Sequence, residues 1–231
     1  EFAVLEGNAV ALLNELDERL GIVNLLSYEE TGLDVTFQRD LAVAKLCDAK
    51  GIVWRQFQTN GIERGRHNRT GWNKSWHRVM TSPCHTAPVT RLNTVSLSSE
   101  PVFTALRSAK YETWLTARSD LQQGGKTQAQ QVLSSFLTER GWGYQKFISK
   151  PENSRVHCSR LSPYLAWGNL SMRQAYQALQ QQEKRHGWSR AMNAFESRLH
   201  WHCHFIQKFE MECRMEFEDI NGGYAEQPTC H

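Results

Sequence analysis

No CxxC pair and no regular spacing connects the six cysteines, Cys47, Cys84, Cys158, Cys203, Cys213 and Cys230. That argues against a disulfide framework and predicts reduced thiols in a cytoplasmic protein. No apolar run approaches a membrane span. The start, Glu1-Phe2-Ala3-Val4, lacks the basic region of a signal peptide. There is no internal repeat. Nor is there a strong charge, since a net +3 neither announces nor opposes a nucleic-acid partner. Prolines number only six, and Pro83, Pro88 and Pro101 fall in one Ser/Thr-rich stretch, 81–104. What is present is length and aromatic mass. The 231 residues suffice for a real core in one or two domains, and eight tryptophans are many for that length. The chain opens in a helical pattern without an initiating methionine, as expected of a piece of a longer protein.

Residues 6–20 place Val10, Leu13, Leu16 and Leu20 at near-helical spacing, and Gly21 ends that helix. Ile22–Tyr28 reads as a short strand. Asp34–Lys50 reads as a helix with Phe37, Leu41, Ala44 and Leu46 or Cys47 inside, and Ile52–Phe57 as a second strand. Helix, strand, helix, strand with glycine joints predicts a doubly wound parallel sheet whose first strands precede this sequence. Trp72, Trp76 and Met80, four apart, predict a short helix docking an aromatic side under the linker. The basic cluster Arg64, Arg66, His67, Arg69, Lys74, His77 and Arg78 surrounds it and reads as a solvated loop. From Thr127 onward the pattern is helical: 127–137, 161–167, 171–182 and a long helix from Ser189 to about Phe217. Tyr144–His157 reads as an extended loop. On the long helix, Phe195, Leu199, His202, Ile206 and Phe209 form one apolar stripe.

Two stretches carry chemistry. Cys158-Ser159-Arg160-Leu161-Ser162-Pro163-Tyr164 combines hydroxyls, a cation and a proline at a first helical turn, a pattern suited to holding an anion. Ser197-Arg198-Leu199-His200-Trp201-His202-Cys203-His204-Phe205 offers a large ring beside polar groups. His200 and His204, four apart beside Cys203, have the spacing of a zinc pair, but no second ligand pair accompanies them, so no metal is assigned.

Taken with Gly124-Gly125-Lys126, Tyr144 and Ser159-Arg160-Leu161-Ser162-Pro163-Tyr164-Leu165-Ala166-Trp167-Gly168, the chain resembles the DNA photolyase/cryptochrome flavoprotein family. Glu29-Glu30-Thr31-Gly32, Arg39-Asp40, Asn60-Gly61 and Trp72-Asn73-Lys74-Ser75-Trp76 extend the likeness upstream, so that it covers most of residues 4–210. The resemblance implies a partial Rossmann-like α/β antenna domain at 1–80, a linker at 81–125 and a partial all-α FAD-binding domain at 126–231. It implies FAD at Tyr144, Cys158, Ser159, Arg160, Leu161, Ser162 and His202, and damaged DNA at Arg198, Trp201 and Phe205. The implied activity is that of a deoxyribodipyrimidine photolyase, a lyase repairing pyrimidine dimers by blue-light-driven electron transfer. The alternative is a cryptochrome-type photoreceptor without repair. An antenna pigment, folate or deazaflavin, a monomeric state and further FAD contacts beyond residue 231 are also implied. The piece alone is then expected to be inactive. Three positions depart from the family: Cys158 replaces the common threonine, Arg198 the repair enzymes' glutamate, and His202 their arginine. A flavin-free nucleotide- or RNA-associated module on the same scaffold is the remaining alternative.

Overall fold

The computed structural model describes residues 4–86, 92–93, 104, 108, 110, 113–114, 116, 118–183 and 185–224. Most of the linker expected at 81–125 lies outside them. The chain divides into two compact units. One comprises Glu1–Tyr28, Val35–Phe57 and His85–Gln123, and the other Glu29–Asp34, Gln58–Cys84 and Gly124–His231.

In the first unit, helix α1 (Ala9–Leu20) starts where the Asn8 side chain accepts the N–H groups of Val10 and Ala11. It stops at Gly21, whose φ of 65° is the left-handed cap that glycine adopts without strain. Asp17 then accepts from the Ile22 N–H at 2.9 Å and from Lys50 Nζ at 2.9 Å, fastening the α1 joint to the end of helix α2 (Asp34–Lys50). Strands β1 (Asn24–Tyr28) and β2 (Val53–Phe57) pair in parallel, from Asn24 opposite Val53 to Tyr28 opposite Phe57. A small cluster of Val43, Cys47 and Ile52, with Val10, Leu13, Leu25 and Trp54 packed on it, forms the core. Cys47 faces inward as expected, but Phe37 and Leu41, also expected inside α2, are exposed, and Val43 is buried instead. Apolar residues surround α2 on most sides, so its composition does not select a face; the sheet does.

The second unit is helical. It contains α3 (Trp72–Thr81), α4 (Lys126–Thr138), a 3-10 turn at Arg140–Gly143, α5 (Tyr144–Phe147) and α6 (Pro151–His157). Next come α7 (Ser162–Ala166), α8 (Met172–Gln180) and α9 (Ser189–Met211), followed by 3-10 turns at Cys213–Glu216 and Gly222–Tyr224. The expected extended loop at 144–157 is therefore two short helices. Pro151 begins α6 at a position where its missing N–H costs nothing, and the Phe147 and His157 rings stack at 4.3 Å to close the pair. Helix α9 ends at Met211 rather than Phe217, because Glu212 leaves helical geometry at φ −128°, ψ 43°.

Helix α3 buries Trp72, Trp76 and Met80 completely. Among the described residues their partners lie on helices α8 and α9 and at Gly61. Trp76 meets Tyr176 of α8 edge-on at 5.3 Å and His200 of α9 at 4.8 Å, and the Trp72 indole donates to the Gly61 carbonyl at 3.0 Å. The capping box of α8, with Ser171 and Gln174 bonded reciprocally to each other's backbone N–H, sets its entry. On α9 the buried line is Ala191, Phe195, Leu199, Cys203 and Gln207. His202, expected on that stripe, is exposed. Gln207 displaces the hydropathy pattern: its amide oxygen accepts the Glu63 N–H at 2.7 Å and its nitrogen donates to the Glu63 carbonyl at 3.0 Å, so both polar atoms of a buried side chain have a partner.

Candidate functional site

Helix α4 buries Ala129, Leu133, Phe136 and Leu137. The turn after it is tight because Gly141 lies against the Phe136 carbonyl and ring, where a Cβ has no room. That reversal lays Arg140 back along α4. Its guanidinium donates to the Val132 carbonyl at 3.0 Å, Ser135 Oγ at 3.0 Å, the Val156 carbonyl at 3.1 Å, the Ser159 carbonyl at 2.8 Å and the Cys158 carbonyl. It also lies 5.5 Å over the Phe136 ring. Burial first, then the charge of Arg160, holds Arg140 below its ordinary pKa, although a guanidinium keeps its charge in proteins.

With the carbonyls of Cys158 and Ser159 drawn to Arg140, the backbone next takes two turns of opposite hand. Arg160 has φ 62°, in the left-handed region, and Leu161 follows at φ −89°, ψ −14°. Successive residues of opposite hand aim their N–H groups into one concavity, the geometry that binds anions. The N–H groups of Ser159, Leu161 and Ser162 find no acceptor among the described residues. Leu161, 1% exposed, roots this nest in the core, while Ser162 is exposed.

Of the other expected cofactor residues, Tyr144 and Cys158 lie here. Tyr144 is buried, edge-on to Phe136 at 5.3 Å and to Phe195 at 6.0 Å. Burial, then the neighbouring Cys158, pushes its phenol up to about 12, and Arg198 opposes the shift. Burial likewise raises the half-buried Cys158 thiol against the pull of Arg140 and Arg160. These mutual influences put Tyr144, Cys158, Arg160 and Arg198 in one neighbourhood. His202 is exposed, yet the surrounding protein strips enough water to hold its imidazole below the usual range.

Arg198, Trp201, His202 and Phe205 share the outer face of α9 at helical spacing. The Arg198 guanidinium lies 4.6 Å over the Trp201 ring, and Trp201 meets Phe205 edge-on at 5.9 Å. Trp201 is 44% and Phe205 59% exposed, a large aromatic surface for one helix face. On the flank toward α3, His200 Nε2 lies 3.1 Å from Asn73 Oδ1 and His204 Nε2 lies 3.3 Å from Arg69 Nη1. Among the described residues no group of three or more His, Cys, Asp or Glu is placed to hold a metal ion. The basic stretch before α3 is partly spent on itself: Arg66 bonds Glu63 and the carbonyls of Asn68 and Thr70, and Arg69 covers Trp72 at 5.1 Å.

Sequence reasoning missed Arg140. Its acceptors are nearly all backbone carbonyls, which no residue pattern displays.

A small parallel-sheet unit and a helical unit bearing the opposite-handed pair Arg160 and Leu161 make up a helix-rich architecture. The crystal structure of the cryptochrome from Synechocystis sp. PCC6803 matches it with a TM-score of 0.60 at 18% identity, covering 90% of this chain and 46% of that one. The chain thus shares the cryptochrome fold over nearly all its length and spans about half the length of that protein. No protein-family model and no curated protein matches the sequence. Among the described residues, no helix is long and apolar enough to cross a membrane.

Proposed function

We propose that this chain is the FAD-holding portion of a blue-light-dependent flavoprotein, with the nest at Ser159–Ser162 taking the cofactor's diphosphate. The observation that carries the reading is the opposite-handed pair Arg160 and Leu161, in a segment whose Ser159, Leu161 and Ser162 amides find no acceptor among the described residues. In this reading Ser159 and Ser162 add hydroxyl donors and Arg160 a cation, and Cys158 contributes backbone rather than its weak thiol. Tyr144, neutral over the whole physiological range, packs as an uncharged wall. His202 meets the flavin side from the outer face of α9. FAD, when bound, supplies light-driven one-electron transfer. The residues named here bind it, orient it and exclude water. The first unit is then a Rossmann-like antenna piece.

The first use of such a site is repair of pyrimidine dimers in damaged DNA, with Trp201 and Phe205 offering rings to an extruded base. One observation favours a second use, as a photoreceptor without repair: Arg198 already covers a face of the Trp201 ring at 4.6 Å. The test is the absorption spectrum of the intact protein purified with flavin, followed by blue-light irradiation with dimer-containing DNA. Retained FAD with dimer splitting supports repair, and retained FAD with intact dimers supports the photoreceptor. A colourless protein that takes up no flavin sinks both.

A further inference from the structure

We infer that Arg140 is the positioning residue of the nest, holding the carbonyls of Cys158 and Ser159 on one side so that the amides of this segment face a diphosphate on the other. The inference rests on the cofactor reading above and extends it to a residue outside the nest. In a trans peptide the C=O and the following N–H point in opposite directions. Fixing the Cys158 carbonyl on Arg140 therefore directs the Ser159 N–H away from it, and fixing the Ser159 carbonyl does the same for the Arg160 N–H. Arg160 and Leu161, of opposite hand, then bring the Leu161 and Ser162 amides to the same side.

The same guanidinium bonds Val132 and Ser135 on α4, so the segment is referenced to a helix whose inner side is fully packed. Only a planar fork with five N–H donors can serve α4 and residues 156–159 at once; an ammonium presents a compact point charge. The hydrogen-bond partners of Arg140 are carbonyls and one hydroxyl, not a carboxylate. Burial and the charge of Arg160 outweigh the nearby Glu139 and Cys158 in their effect on the guanidinium, an arrangement that a bound anion relieves.

The test compares the intact wild-type protein with Arg140→Met, which keeps an apolar stem, and Arg140→Lys, which keeps the charge. Amide NMR signals of Ser159, Leu161 and Ser162 are followed during titration with inorganic pyrophosphate, FAD and riboflavin. We expect pyrophosphate and FAD to shift these signals in wild type. In Arg140→Met both affinities fall about tenfold or more, the worth of one hydrogen bond to a charged group, while riboflavin, which has no phosphate, binds as before. Arg140→Lys falls between the two, and carries the comparison if Arg140→Met does not fold. Pyrophosphate binding without FAD binding ends the cofactor reading but upholds the role of Arg140. The inference is overturned if wild type does not respond to pyrophosphate, if the folded variants bind it as wild type does, or if FAD and riboflavin weaken by the same factor.

Discussion

Tyr144 is buried among Phe136 and Phe195, and its phenol is pushed from 10.0 to about 12, chiefly by burial. The native state therefore holds this proton where the unfolded chain has already released it. Stability falls as pH rises from about 10 to about 12, by roughly 2–3 kcal/mol over that window. Phenolate absorbance should show Tyr144 titrating late, beside Tyr176, which burial also raises, and Tyr144→Phe should remove its share of the late titration and reduce the alkaline loss of stability. An unchanged alkaline loss in the variant would show that the cause lies elsewhere. At this scale the helix start at Ser162 was legible, because a hydroxyl residue followed by proline marks a first turn. Arg140 was not, because an arginine beside a glycine after a helix has no signature until its carbonyl partners are assembled.

Helix α9 shows what periodicity can and cannot decide. Its existence and its start at Ser189 follow from three- and four-residue spacing, and Phe195 and Leu199 face inward as that spacing predicts. His202 and Gln207 reverse the expectation. The histidine is exposed and the glutamine fully buried, since the backbone of Glu63 presents a donor and an acceptor at the position Gln207 reaches. Gln207→Leu should lower unfolding stability by about 1–2 kcal/mol, because it leaves the partly buried Glu63 N–H and carbonyl without partners. Chemical denaturation reads this directly, and a leucine variant as stable as wild type would show that water serves those groups. The short helices of 144–157 were hidden for a related reason: few apolar residues mark them, and ring stacking and the turn at Gly141 and Gly143 hold them.

The two units differ in how much apolar surface they bury. The sheet unit gathers Val43, Cys47 and Ile52, and leaves Leu26, Tyr28, Val53 and Phe57 exposed. The helical unit encloses Trp72, Trp76, Phe136, Phe195, Leu199 and many others in one continuous cluster. Local opening is easiest where fewest apolar contacts must be broken. Amide hydrogen exchange should therefore show faster opening in β1, β2 and α2 than in α4, α8 and α9. Equal protection across both would mean that the small cluster is not the weak point.

Glycine joints, caps and hydrophobic spacing were enough to place most helices and the parallel strand pair, because each depends on neighbours a few residues away. The resemblance in residues 159–168 was likewise local, and it pointed to the fold that the structure displays. Which face of α2 and α9 turns inward, where α3 docks, and how Arg140 draws residues 156–159 onto α4 were decided only in three dimensions. Those outcomes depend on backbone groups brought together from distant parts of the chain, and backbone groups are the same at every residue until the fold aims them.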